Sequence, residues 1–415
     1  MKMIRYMSPV LKASFLVALV SMFVSCRKEA LDIVNPDRHY CYTFTDQFKT
    51  IWTGIDQGYV FWSRETIDWD SVYDVLLPEF QAFDNRIIGP SDAELTRAYN
   101  RMVNGLMDHH MYVLVKNLRT GNAVFADPSL LEVPSRPYYH ANYFNDQVAL
   151  LPTMEGVSEY KAGRDNLPCF FALFPGSGSK KIAYLRFSSF AVTSLVQSVQ
   201  YGYAPSAALA PFRAFYGTNV LDGVTNGWAG RDNVEAVIID VRGNGGGSLS
   251  DLQPVVCSLS PEVCDYGYSR VKEGLGRLDY SAWTRFAINP PSGHLWGDKK
   301  VVVLADVHSA SCAELTASFV QLMPNGTFIG ERTWGATCPL LPGGHDILYS
   351  GVFGDYNTLG YYVYTSNFDV VTKDYKSLEG VGVTPDIECL FDLDALRNGH
   401  DNQLERALQF IRTGK

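Results

Sequence analysis

The chain has 415 residues, 47% hydrophobic, 13% aromatic and 19% charged, a mix that fills large cores and excludes a disordered, collagen-like or small disulfide-stapled protein. At about 150 residues per domain there is room for two or three domains. The net charge of −9, from 35 Lys and Arg against 44 Asp and Glu, supplies no cationic excess to neutralise phosphates, so no nucleic-acid partner is expected.

Lys2, Arg5 and Lys12 precede an apolar run from Ala13 to Val24, short of the roughly 18 residues that span a bilayer. Ser25 and Cys26 follow at once. This pattern reads as an export signal over residues 1–26. It resembles a bacterial lipobox, in which Cys26 is the lipidated residue and becomes the new N-terminus. Phe23 stands where leucine is more usual, so secretion without lipid is the alternative. A cell-envelope location follows, periplasmic or outer-membrane-anchored, with membrane contact only through the N-terminal lipid. Seven further cysteines, an odd number in an oxidising compartment, leave at least one thiol unpaired, and Cys257 and Cys264 are near enough in sequence to bridge. There is no Cys-x-x-Cys and no His-Glu-x-x-His, the spacings of familiar zinc sites.

After a linker at 27–41, residues 42–115 read as a small helical domain. Phe44, Phe48, Trp52, Ile55 and Tyr59 recur at steps of three or four and predict one amphipathic helix. A second is expected over Asp68 to Phe83. Ser91-Asp92-Ala93-Glu94 is a capping box opening the stripe Leu95, Tyr99, Met102, Val103, Leu106. Residues 116–180, broken by Pro134, Pro137, Pro152 and Pro168, predict an irregular β-rich middle segment. From 181 to 415, strands at Lys181 to Phe187, Val234 to Val241, Lys300 to Ala305 and Thr327 to Ile329 alternate with helical stretches. One of these helices runs from about Cys312 to Met323, and another begins at Asp401. The alternation predicts α/β layering with a largely parallel sheet.

Two junctions in this region can carry chemistry. The strand Val237 to Arg242 empties into Gly243-Asn244-Gly245-Gly246-Gly247, a loop whose backbone N–H groups can approach a ligand closely. It is an oxyanion hole, a phosphate cradle or simply a tight turn; no lysine follows, as a phosphate loop requires. Ser311 stands where a strand ends and a helix begins, among unpaired N–H groups at a positive helix end. Ser311-x-x-Glu314 is equally a capping box, in which the serine is only an N-cap.

Taken in order, Ile239 to Gly247, Ser309 to Glu314, Ile329 to Gly335 and Glu379 to Asp386 resemble the C-terminal processing (tail-specific) serine peptidases and their relatives, tricorn protease and interphotoreceptor retinoid-binding protein. The resemblance runs from about Ile182 to the C-terminus and extends upstream to Ile67-Asp68-Trp69-Asp70 and Leu106-Met107-Asp108-His109-His110. It implies a crotonase-like (ClpP-like) α/β catalytic domain, with the middle segment a degenerate or absent PDZ domain. It also implies Ser311 as nucleophile. The tail-specific branch places a lysine base shortly after its Gly-Glu-x-Thr-x-Gly segment, but Ala336 occupies that position and no lysine occurs between Lys300 and Lys373. The tricorn-like branch instead implies His110 as base and Glu379 as its orienter, with the N–H groups of Cys312 and of Gly246 or Gly247 as oxyanion donors. His109 is the other candidate base.

The implied activity is exported serine endopeptidase chemistry through an acyl-enzyme on peptides or unfolded proteins, with no metal or organic cofactor and the oligomeric state open. The pH profile is expected to rise as an imidazole deprotonates near its ordinary value of about 6.5. The alternative is an inactive peptidase-like protein that binds peptides or apolar ligands in the same cleft.

Overall fold

The computed structural model describes residues 39–163, 167–217, 231–290, 295–339 and 351–415. The expected export signal and Cys26 lie outside the described residues. No helix among the described residues is long and apolar enough to cross a membrane.

Helices α1 (Phe44–Gly58), α2 (Trp69–Asp84) and α3 (Asp92–Val103) open the fold. Each starts where a side chain accepts an N–H that the first helical turn leaves unpaired: Thr43 takes that of Asp46, Asp68 that of Ser71, and Ser91 that of Glu94. The aromatic stripe is the packing surface, with Phe48 stacked on Phe80 at 4.6 Å and Trp52 on Trp69 at 5.8 Å between ring centroids.

Fourteen strands follow among the described residues. In chain order they are β1 (Tyr112–Lys116), β2 (Ala123–Ala126), β3 (Glu159–Ala162), β4 (Cys169–Pro175), β5 (Lys181–Phe187), β6 (Val234–Asp240) and β7 (Cys264–Val271). The rest are β8 (Thr284–Ile288), β9 (Lys300–Ala305), β10 (Gly326–Gly330), β11 (Val352–Asp355), β12 (Tyr361–Tyr364), β13 (Phe368–Thr372) and β14 (Ile387–Glu388). The main sheet has the order β14-β10-β9-β6-β5-β4-β3. It is parallel from β14 to β5 and antiparallel beyond. A four-stranded sheet, β11-β12-β1-β2, and a three-stranded one, β13-β7-β8, complete the fold.

The main sheet is buried on both faces, and strand alternation divides its side chains between two cores. Leu185, Val237, Ile239, Val301 and Val303 point to the larger core, shared with α4 (Cys312–Leu322) and the N-terminal helices. Ile182, Tyr184, Ile238, Val302 and Leu304 point to the smaller one, closed by α5 (Asn402–Thr413). The molecule is thus an α/β protein with a helical N-terminal region.

Residues 116–180 are not a sheet of their own. Their strands divide between the four-stranded and main sheets, with short helices at Pro128–Glu132 and Phe144–Leu150 between them. Cys257 and Cys264 do not bridge, and the seven described cysteines are free thiols.

Candidate active site

The parallel strands β6 and β9 end side by side, which brings the glycine loop after β6 against the 306–311 turn after β9. Asp306 stitches the two together: its Oδ1 accepts from Gly243 N at 2.9 Å and His308 N at 3.0 Å. Ser309 donates through Oγ to Val241 O at 2.8 Å. Asn244 braces the loop from within, its Nδ2 donating to Phe187 O at 2.9 Å and its carbonyl accepting from Ala310 N at 3.0 Å. At the contact a glycine is required. Gly246 has φ +91°, and a Cβ there would stand 2.5 Å from Ser311 Cβ and 3.1 Å from Cys312 N.

Ser311 is half-buried at the N-terminus of α4. Glu314 does reach back to it, Ser311 N donating to Glu314 Oε2 at 3.2 Å, as a capping box requires. The backbone, however, is not that of a cap. Ser91, which opens an ordinary capping box in the same chain, has φ −68° and ψ 161°, whereas Ser311 has φ 57° and ψ −121°. Among the described residues Ser311 and Tyr375 are the non-glycine residues with positive φ. Such a conformation costs about 1–3 kcal/mol and persists where the surroundings impose it. Here they do so through Gly246, Glu314 and the carbonyl of Ala336, which accepts from Ser311 N at 2.9 Å.

The backbone donors near Ser311 are not equivalent. Cys312 N lies in the first turn of α4, facing the glycine loop. The N–H of Gly246 is taken, donating to Asn244 Oδ1 at 2.8 Å. Gly247 is exposed, with φ +144°, and its N–H has no acceptor among the described residues.

The segment 333–338 joins the Ser311 turn to two buried acidic side chains. Glu314 Oε1 accepts from Gly335 N at 2.8 Å and from Thr333 Oγ1. Burial pushes the Glu314 carboxyl up to about 7 against these donors. Glu379 accepts from Thr337 N and Cys338 N, both at 2.7 Å, and from His109 N at 2.8 Å. Its carboxyl is raised well above the usual carboxylate range, by burial first and then by the charge of Asp108.

His110 arrives on the short link between α3 and β1. One of its ring nitrogens and one carboxylate oxygen each of Asp108 and Glu379 lie within 4.8 Å of one another. Burial holds the His110 imidazole below its ordinary value, although nearby Asp108 opposes this. Asp108 is itself fixed by Thr365 Oγ1 at 2.6 Å, Ser366 N at 2.7 Å, Ser366 Oγ at 3.0 Å and His110 N at 2.9 Å. These three residues are the kind that bind a metal ion, but each carboxyl group already accepts several hydrogen bonds from protein donors. That is how a protein holds an imidazole in place rather than how it leaves a cation site open.

His109 faces elsewhere. Nδ1 lies 3.1 Å from Trp334 O and Nε2 3.1 Å from Glu132 Oε2, so both ring nitrogens are engaged with oxygens of other residues. Of the residues singled out from the sequence, the structure therefore brings His110 and Glu379 together on one side and Ser311, Cys312, Gly246 and Gly247 on the other. Among the described residues no hydrogen bond joins Ser311 Oγ to the His110 ring. Asp108, Glu314, Thr365 and Ser366 complete the constellation. The sequence signalled Glu314 through its capping box and Asp108 through its nearness to His110, and gave no sign of the other two.

Comparison with known proteins bears on this arrangement. The family model described as peptidase family S41 matches residues 181–389, just over half of the chain. Tricorn protease homolog 2 of Streptomyces coelicolor is 28% identical over 155 residues, 37% of this chain and 11% of that protein. Tricorn protease of Thermoplasma volcanium is 24% identical over 214 residues, 51% of this chain and 17% of that protein. The chain thus spans no more than about a sixth of these curated relatives. Among solved structures, one from Parabacteroides merdae, described by inference as a peptidase, superimposes with a TM-score of 0.60 at 20% identity, covering 90% of this chain and 98% of that one. Mature CPAF complexed with lactacystin gives a TM-score of 0.58 at 12% identity with the same coverage.

Proposed function

This chain belongs to peptidase family S41, and on that premise we propose that it is a serine endopeptidase using Ser311, His110 and Glu379. The observation that carries the reading is the backbone of Ser311. A structural N-cap has no need of φ 57°, whereas a nucleophile held out toward the glycine loop does. Serine is too weak an acid to ionise near neutrality, so a neutral imidazole must take its proton as Oγ attacks the scissile carbonyl. His110 is kept neutral by its burial. Glu379, raised above the usual carboxylate range by burial, serves as the orienter, and the imidazolium that forms as Oγ loses its proton draws Glu379, with Asp108 beside it, toward its charged form. Hydrogen bonds between nucleophile and base commonly tighten only when substrate is bound.

The tetrahedral oxyanion would be received by Cys312 N–H and Gly247 N–H, with the α4 dipole adding to both. The catalytic part, 181–415, is assigned a crotonase-like (ClpP-like) fold. Substrates are peptides or unfolded proteins. Export, with Cys26 as a lipid anchor to the cell envelope, rests on the N-terminal sequence pattern. In the test, purified protein is incubated with a casein-like unfolded substrate. Ser311→Ala is expected to lower the rate by about 10³-fold or more while leaving the melting temperature near that of the parent. Equal cleavage by parent and variant contradicts the assignment.

A further inference from the structure

The four-stranded sheet turns Val113, Val115, Val124 and Val363 into the core. Its other face carries a row of rings. Tyr112 stacks on Tyr364 at 5.3 Å between centroids, with planes 10° apart, and lies 5.4 Å from Phe125 and 5.9 Å from Tyr362. Phe125 is 42% exposed. The row leads into the site. Tyr112 pairs with Tyr364 where β1 begins and β12 ends. Just beyond these strand ends stand His110 and Ser366, and Ser366 Oγ lies 3.5 Å from His110 Nδ1. The Tyr364 hydroxyl makes no hydrogen bond within the described residues. It lies near Asp108, whose charge helps hold it above its ordinary value after burial has raised it.

We propose that this ring-lined face is a substrate subsite, occupied by an extended polypeptide segment bearing aromatic or large aliphatic side chains on one side of the cleaved bond. The proposal rests on the peptidase reading above and adds to it a preference. Contiguous apolar surface at a reactive centre marks a binding site, and rings give large contact areas at little entropic cost. An extended chain repeats its same-side residues about every 6.6 Å. This matches the two-residue step between Tyr364 and Tyr362, so two substrate positions separated by one residue should both be selected. Folded proteins keep such side chains inside, which makes the subsite a filter for unfolded chains.

The test is a digest of denatured protein by the intact enzyme, with cleavage positions read by mass spectrometry. Aromatic and large aliphatic residues are expected to be enriched at alternate positions on one side of the cut. For a peptide with Phe at those positions and its Ala counterpart, the ratio of kcat/KM is expected to be about 10 or more in the parent. In Tyr362→Ser and in Phe125→Ser it should fall to about 3 or less. A parent without positional enrichment overturns the proposal even if the variants do not fold, and so does a ratio unchanged in folded variants. If the parent cleaves nothing and Ser311 takes no fluorophosphonate, the peptidase reading has failed instead. Fluorescence anisotropy with the same two peptides then decides the subsite. Tighter binding of the Phe peptide that is lost in the variants supports it, and equal binding of both peptides overturns it.

Discussion

At the scale of single residues, two adjacent histidines of one type have opposite roles. His109 is clamped between the Trp334 carbonyl and Glu132, and its backbone N–H holds Glu379; it is a positioning residue. His110 stands with Asp108 and Glu379 and is the base in the proposed mechanism. His110→Ala is therefore expected to lower kcat by about 10²- to 10⁴-fold, the usual worth of a positioned general base, whereas His109→Ala retains the larger part of the activity. Steady-state rates on one fluorogenic peptide separate the two cases, and the reverse order would make His109 the base. The sequence left the two histidines undecided because the deciding contacts come from residues 23 and 225 positions away.

At the scale of elements, the decisive contact is that of the glycine loop with the start of α4. Gly246→Ala adds a methyl group 2.5 Å from Ser311 Cβ and 2.8 Å from Ala310 O, at a φ of +91°. It is expected to abolish measurable cleavage and to lower the melting temperature, whereas Gly245→Ala, which meets nothing within 4 Å, should do neither. Comparable losses in both variants would mean that the loop and not the contact matters. The helices were legible from the sequence because their signals are local: the stripe from Phe44 and the capping box at Ser91 lie within or beside the elements they specify. The strand of β6 and its glycine loop were legible for the same reason. The sheet β13-β7-β8 was not, since β13 joins β7 across about a hundred residues and β7 is broken by a bulge near Gly267. The middle segment was read as one irregular unit because nothing local shows that β2 pairs with β1 in the four-stranded sheet while β3 and β4 extend the main sheet.

At the scale of the molecule, the last helix is fastened beneath the site by buried charge. Arg242, at the start of the glycine loop, donates to Asp401 at 2.7 and 2.8 Å and to Asp240 at 2.6 Å, all three side chains being buried. Asp401 is at the same time the N-cap of α5. Removing one partner leaves uncompensated charge in the interior, which costs about 3–5 kcal/mol. Arg242→Ala is expected to lose that much in urea unfolding, and a loss below about 1 kcal/mol would show that the network is solvated. The motif segment Ile239 to Gly247 thus carries two functions. Its glycines approach the serine, and its arginine ties the C-terminal helix to the sheet that positions them.

The most direct measurement follows the rate at which a fluorophosphonate modifies Ser311 as pH is varied, with the labelled peptide identified by mass spectrometry. A buried imidazole of lowered pKa is neutral, and able to accept the serine proton, at pH values above that pKa. The rate is therefore expected to rise with pH along a single limb whose midpoint lies below about 6.5, and to lose that limb in His110→Ala. Labelling of Ser311 that is unchanged in rate and pH profile when His110 is replaced would contradict the proposed site.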